Sequence, residues 1–210
     1  MKRPRILLAD DHRMVAEGLR GLLEPDFELV GIVEDGRAML DAVERLHPDV
    51  VVVDVSMPLL NGIEAVRQLK KTNKKIAVVF LTMHLDVTYA ASAFEAGASG
   101  YVLKHAAPTE LISAINSALK GRTYITPILA GQLLQYQKGK PRGTEGERVA
   151  LTHRQREVLQ LIAEGRTVKE VATILKISTR TVEFHKYTIM ENFGLKSTAD
   201  LVRFAIKNRI

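Results

Sequence analysis

Four valines, Val50 to Val53, run without a break into Asp54, and the stretch then turns at Met57-Pro58. A strand with one wet face alternates apolar and polar residues, whereas a strand covered on both faces reads as a continuous aliphatic run. Strands of the second kind form parallel sheets flanked by helices, and ligands bind in the crevice outside their carboxyl ends. The run therefore predicts a buried strand whose tip carries a carboxylate at a site.

Other stretches fit the same architecture. Arg5 to Ala9, Leu29 to Val33, Val50 to Val55, Ile76 to Thr82 and Gly100 to Leu103 are short apolar runs. Between them lie segments of helical period, such as Met39/Leu40/Val43/Leu46, Ile63/Val66/Leu69 and Leu111/Ile112/Ile115/Leu119. Strands alternating with helices predict an α/β fold, a doubly wound five-stranded parallel sheet over residues 1–121. Thr126-Pro127 fits an N-cap followed by proline at the first helical position, which predicts a short connecting helix from Pro127 to about Gln135. Gln137 to Val149 is rich in glycine, proline and charge and has no apolar period. Residues 122–148 are thus expected to be a linker that includes the short helix.

From residue 149 to 210 every signal is helical, and this predicts a second, small all-α domain. Thr152 with Gln155 and Thr167 with Glu170 have the spacing of capping boxes, and Gly165 is placed to end the first of these helices. Thr167 to Leu175, a turn at Lys176-Ile177, and Ser178 as N-cap of a longer helix have helix-turn-helix spacing. Charge divides along the same line. Lys+Arg against Asp+Glu is 15 − 16 = −1 for residues 1–135 and 15 − 8 = +7 for residues 136–210. A basic module that binds a polyanion gives this asymmetry, and so does a solvated basic face.

Composition removes several classes of function. The chain has no cysteine, so disulfides, thiolate metal sites and thiol nucleophiles are out, and a reducing compartment is compatible. No apolar run reaches the roughly 18 to 20 residues of a membrane span. The basic start is like that of a signal peptide, but its apolar part, Ile6 to Ala9, stops too soon at two aspartates. A cytoplasmic protein without a membrane partner is expected.

The first strand also ends in carboxylates, Asp10 and Asp11, which a parallel neighbour would bring near Asp54. Converging carboxylates repel one another, so a hard divalent cation is the natural guest, and Mg²⁺ with open positions suits phosphoryl chemistry. Thr82 at the tip of the fourth strand could donate a hydroxyl, and Lys104 at the tip of the fifth could meet a phosphate as a point charge. Each residue alone also has a plain reading: a helix cap for Asp10 or Asp11, a strand-end hydroxyl for Thr82, a solvated lysine for Lys104, and packing for Tyr101. Their joint placement at strand ends favours a site.

The motifs LLADDH, VVVVDVSMPLLNG, FLTMH and GYVLK resemble the CheY-like, flavodoxin-like receiver domains of bacterial two-component response regulators, over roughly residues 3–121. The resemblance implies that Asp54 accepts a phosphoryl group from a histidine kinase. It also implies that Asp10 and Asp11 hold Mg²⁺ together with Asp54 and the main-chain carbonyl of Ser56. Thr82 and Lys104 would contact phosphoryl oxygens, and Tyr101 would be the aromatic that reports the switch. His105 stands where many receivers have proline. Phosphatases that share a strand-end aspartate carry a second acid two residues on. That position here is Ser56, so the chain is not expected to be an enzyme acting on an external substrate.

The tail, through LTHRQREVL, AEG, KEVA and ISTRTVEFH, resembles LuxR-type DNA-binding domains. Together the two halves resemble a NarL/FixJ-type response regulator, a transcription regulator that binds double-stranded DNA as a homodimer. Stepping about 100° per residue puts Ile189 and Phe193 within about 20° of Val182, so these three are expected to face the core. Arg180, Glu183, Phe184 and Tyr187 then face outward as candidate base readers. Lys186 flanks the stripe and could reach a phosphate. Thr167, Lys169, Thr179, Thr181, Lys196 and Ser197 are candidate anchors at helix ends and flanks. A phosphorylation-independent module with the receiver as scaffold remains the alternative.

Overall fold

The computed structural model describes residues 3–106, 108–139, 151–208 and 210. The chain divides into two compact units, residues 1–142 and 143–210.

The first unit alternates strand and helix: β1 (Arg5–Ala9), α1 (Arg13–Leu23), β2 (Glu28–Val33), α2 (Gly36–Leu46), β3 (Val50–Val53), α3 (Gly62–Thr72), β4 (Ala77–Thr82), α4 (Val87–Glu95), β5 (Gly100–Leu103), α5 (Pro108–Leu119), β6 (Tyr124–Ile125) and α6 (Pro127–Gly139). The sheet is parallel throughout, in the order β2-β1-β3-β4-β5-β6. The aliphatic runs are explained by the two faces of this sheet. Leu7, Val51, Val53, Val78 and Phe80 pack with Met39 of α2, Val66 and Leu69 of α3, and Ala90 and Ala93 of α4. Ile6, Leu8, Val50, Val52, Val79 and Leu81 pack with Leu23 of α1 and Leu111 and Ile115 of α5. Burying one such valine is worth about 1.5–3 kcal/mol, and all four of β3 are fully buried.

Three expectations need correction. The sheet has six strands rather than five, because Tyr124 N–H donates to Ser99 O and Thr126 N–H to Tyr101 O, adding β6 beside β5. Residues 122–139 are therefore not free linker: β6 extends the sheet, and Leu129 of α6 is fully buried in the cluster that holds Ala90 and Tyr101. Thr126 does not use its side chain as a helix cap. Its Oγ1 accepts from Leu103 N–H at 3.2 Å and donates to Glu110 Oε2 at 2.9 Å, tying β5, β6 and α5 together. The remaining linker residues, 140–148, lie outside the described residues.

The second unit is α7 (His153–Ala163), α8 (Val168–Leu175), α9 (Thr179–Asn192) and α10 (Thr198–Lys207). Both capping boxes form, at Thr152/Gln155 and Thr167/Glu170. Gly165 takes φ +83° just after α7, and Lys176 takes φ 53° in the turn between α8 and α9. Val158, Leu161, Val171, Val182, Ile189 and Leu201 fill the core. Phe193, half-buried, packs against Phe204 with ring centroids 4.5 Å apart and planes tilted by 41°.

Candidate functional site

Strand order reverses between β1 and β3, and this switch point opens a crevice at the carboxyl ends of the strands. Asp10 N–H donates to Val33 O and Asp54 N–H to Ala9 O, both at 2.9 Å, so the ladder continues past each strand and fixes the two aspartates side by side. Lys104 N–H donates to Thr82 O at 2.7 Å and brings the fourth and fifth tips to the same edge. The residues predicted from strand ends are thus assembled by backbone pairing alone.

Asp10 and Asp54 are only 1% and 4% exposed. The Lys104 ammonium lies 2.8 Å from Asp10 Oδ2 and 2.6 Å from Asp54 Oδ2. Burial pulls the lysine toward its neutral form, but the hydrogen bonds and charges of Asp10 and Asp54 outweigh it and raise its pKa. The other oxygen, Asp54 Oδ1, is buried and accepts no hydrogen bond. Leaving a buried acceptor unmade costs about 1–3 kcal/mol, so this oxygen is a place for a ligand. Asp10, Asp11, His12 and Asp54 each offer a ligand atom, all within 4.8 Å of one another. The donor set fits a hard divalent cation.

Thr82 is fully buried, and its Oγ1 accepts from His84 N–H at 3.3 Å. Tyr101 is fully buried too, its hydroxyl donating to His84 O at 2.9 Å, and burial pushes the phenol pKa up. The His84 ring stacks on Tyr89 of α4 at 4.2 Å and sits 2.7 Å from Ser56 Oγ through Nε2. His84 thereby joins the β3–α3 loop, the tip of β4 and α4, a role that its place in FLTMH did not single out. His105 is exposed beside Lys104.

In the second unit, α8, the turn and α9 form a helix-turn-helix. Ser178 caps α9 by accepting from Thr181 N–H. Val182 and Ile189 are fully buried, while Phe184 and Tyr187 are 65% and 64% exposed. Arg180, Glu183 and Thr179 are exposed as well, and among the described residues Arg180 and Glu183 form no ion pair with each other. Lys186 is already engaged, its Nζ donating to Thr198 Oγ1 at 2.9 Å. Ser197 caps α10 and Thr167 caps α8, so the side chains of both are committed to helix starts. Lys169 and Lys196 are exposed, and Thr181 is half-buried.

Residues 6–116 match the model of the response regulator receiver domain, and residues 149–205 match that of the bacterial regulatory proteins of the luxR family. The response regulator UvrY of Escherichia coli is 32% identical over 206 residues, covering 97% of this chain and 94% of its own. Among solved structures, the RcsB response regulator of Salmonella typhimurium superposes with a TM-score of 0.65 at 28% identity, over 97% of each chain. A complex of RcsB with DNA matches with a TM-score of 0.60 at 27% identity, over 97% of this chain and 98% of that one. The chain belongs to the response regulators.

Within them it is of the NarL/FixJ type, a DNA-binding transcription regulator of a two-component system, with phosphorylation as the input that its receiver implies. The family is one of transcription regulators rather than of enzymes. No helix among the described residues is long and apolar enough to cross a membrane.

Proposed function

We propose that Asp54 is the phosphoryl acceptor and that the helix-turn-helix reads DNA in response. The observation that carries this is the division of labour on one carboxylate: Lys104 holds Asp54 Oδ2, and Oδ1 is buried without a partner beside Asp10 and Asp11. A carboxylate nucleophile attacks phosphorus, and the bond to the donor breaks as the acyl phosphate forms. Bound Mg²⁺ would be held by Asp10, Asp11, Asp54 and the Ser56 carbonyl, and would supply neutralisation of phosphoryl charge. Lys104 supplies a second positive charge at the same edge, and Thr82 a hydroxyl. Tyr101 and His84 carry the change toward α4. The phosphodonor is a histidine kinase in the cytoplasm, and the product stays on the protein without turnover of an external substrate.

The receiver comprises residues 1–121 together with β6 and α6, and the DNA-binding domain residues 149–210, with phosphorylation favouring a homodimer on double-stranded DNA. A phosphoryl group shifts such a balance only if the two states differ in their contacts with it. Adding a small phosphodonor is therefore expected to raise both the mass measured by light scattering and the affinity for DNA. Identical readings with and without donor would favour the receiver as a scaffold.

For DNA, Arg180, Glu183, Phe184 and Tyr187 face the groove, Lys169, Thr179, Thr181 and Lys196 anchor phosphates from helix starts and flanks, and Thr167, Lys186 and Ser197 join them only by exchanging their side-chain bonds to Glu170, Thr198 and Asp200 for phosphate. A glutamate can accept from cytosine N4, and Phe184 suits a thymine methyl, each contact discriminating by roughly 1–3 kcal/mol. Binding-site selection with Glu183→Ala is expected to relax the preference at one cytosine per half-site. A loss spread evenly over all sequences would remove Glu183 from base reading.

A further inference from the structure

The segment that ends the first unit is lightly held. Helix α6 has 13 residues, and among its described side chains Leu129 alone is buried, while Ile128 and Leu134 stand 58% and 60% exposed. A helix of this length is marginal in water by itself, so docking is what keeps α6 formed. The strand before it, β6, adds two residues of pairing. Segments with so few buried contacts open at low free energy.

The anchors of this segment lie on the elements that build the acceptor site. Leu129 shares its cluster with Tyr101 of β5 and with Ala90 and Ala93 of α4, the helix whose Tyr89 stacks on His84. Thr126 Oγ1 accepts from the N–H of Leu103, the residue before Lys104, and donates to Glu110 Oε2 of α5. A phosphoryl group on Asp54 brings new anionic oxygens to the Lys104 ammonium, which here lies between Asp10 and Asp54. Any shift of Lys104 is therefore felt one residue away, at the bond that Thr126 makes.

We infer that β6 and α6 form a releasable strap, seated while Asp54 is unphosphorylated and unseated by phosphorylation, with Thr126 and Leu129 as its latch. This rests on the reading of Asp54 as the acceptor and adds the part that moves. Release lengthens the chain between the receiver core and the DNA-binding domain from nine residues, 140–148, to 27 residues, 122–148. Two DNA-binding domains in a dimer must meet half-sites a helical turn apart, and the longer connection favours that.

The test is amide hydrogen exchange over residues 122–139 of the full chain, with and without a small phosphodonor, alongside DNA affinity. Donor is expected to lower protection of the wild-type strap by at least about fivefold, the low end of ordinary coupling between sites, and to leave Asp54→Ala unchanged. Thr126→Val and Leu129→Ala should show that loss without donor. Both should also bind DNA about 5- to 150-fold more tightly than wild type without donor, and gain less than about twofold when it is added. Thr126→Ser keeps the bridging hydroxyl and should behave as wild type. Uptake of label by each variant shows that its receiver is folded; if Leu129→Ala takes none, Thr126→Val decides alone. Strap protection that ignores donor in a labelled wild type would overturn the inference, and so would latch variants with wild-type DNA affinities. If wild type takes no label, the acceptor reading fails and the strap with it, an outcome distinct from a labelled protein whose strap stays seated.

Discussion

Asp54→Ala is expected to abolish labelling by a small phosphodonor completely. Wild type should take up one phosphate per chain, labile to hydroxylamine as an acyl phosphate is, and dependent on a divalent cation. The argument is one of position. Asp10 is as buried as Asp54, but its Oδ1 already accepts from His12 N–H and its Oδ2 faces Lys104. Asp11 is partly exposed and has no buried, unpartnered oxygen among the described atoms. Only Asp54 combines burial, a lysine on one oxygen and a free second oxygen. The variant should still fold, because alanine relieves that unpartnered acceptor and leaves Lys104 paired with Asp10. Equal labelling of wild type and Asp54→Ala, or labelling indifferent to chelator, would defeat the assignment.

Most of this was legible before any coordinates, for a physical reason. Continuous apolar runs are the mark of strands buried on both faces, so the first five strands could be read, and with them which residues lie at their tips. Asp10, Asp54, Thr82 and Lys104 meet because parallel pairing puts strand ends side by side. What could not be read lacks that signal. The helix α4 is AASAF-like, with Ala90, Ala91 and Ala93 as its buried residues, and small side chains leave little contrast between its faces. The strand β6 is two residues long and is made by backbone pairing with β5. Its neighbour Thr126 looked like a cap because it precedes proline, yet its hydroxyl found partners in β5 and α5 that no local pattern encodes. The same holds for His84, whose bonds to Ser56 and Tyr101 cross from distant segments. Lys186 is a further case, since Thr198, twelve residues on, occupies its ammonium.

Gly62→Ala is expected to destabilise the protein by about 3 kcal/mol, the upper end of what overpacking usually costs, although alanine is the better helix former by about 1 kcal/mol. Gly62 opens α3 directly behind the site, its N–H donating to Val55 O at 2.8 Å. A Cβ there would overlap the Asp54 carbonyl oxygen and lie 3.1 Å from Val53 Cγ2. Neither neighbour can yield cheaply: Val53 is paired on both sides in the sheet, and Asp54 N–H is bonded to Ala9 O. The helix must then move instead, which loosens Ala65, Val66 and Leu69 from the core and shifts the backbone of Asp54, the proposed phosphoacceptor. Phosphodonor labelling should therefore fall along with stability. Gly18→Ala is the control, since Gly18 lies in α1 with nothing within 4 Å of its added Cβ, and there only the gain in helix propensity remains. Urea denaturation of the full chain, followed by circular dichroism, should place the first transition of Gly62→Ala well below wild type and that of Gly18→Ala at or above it. If the two variants shift together, close packing of α3 on the Asp54 carbonyl is not what this glycine provides.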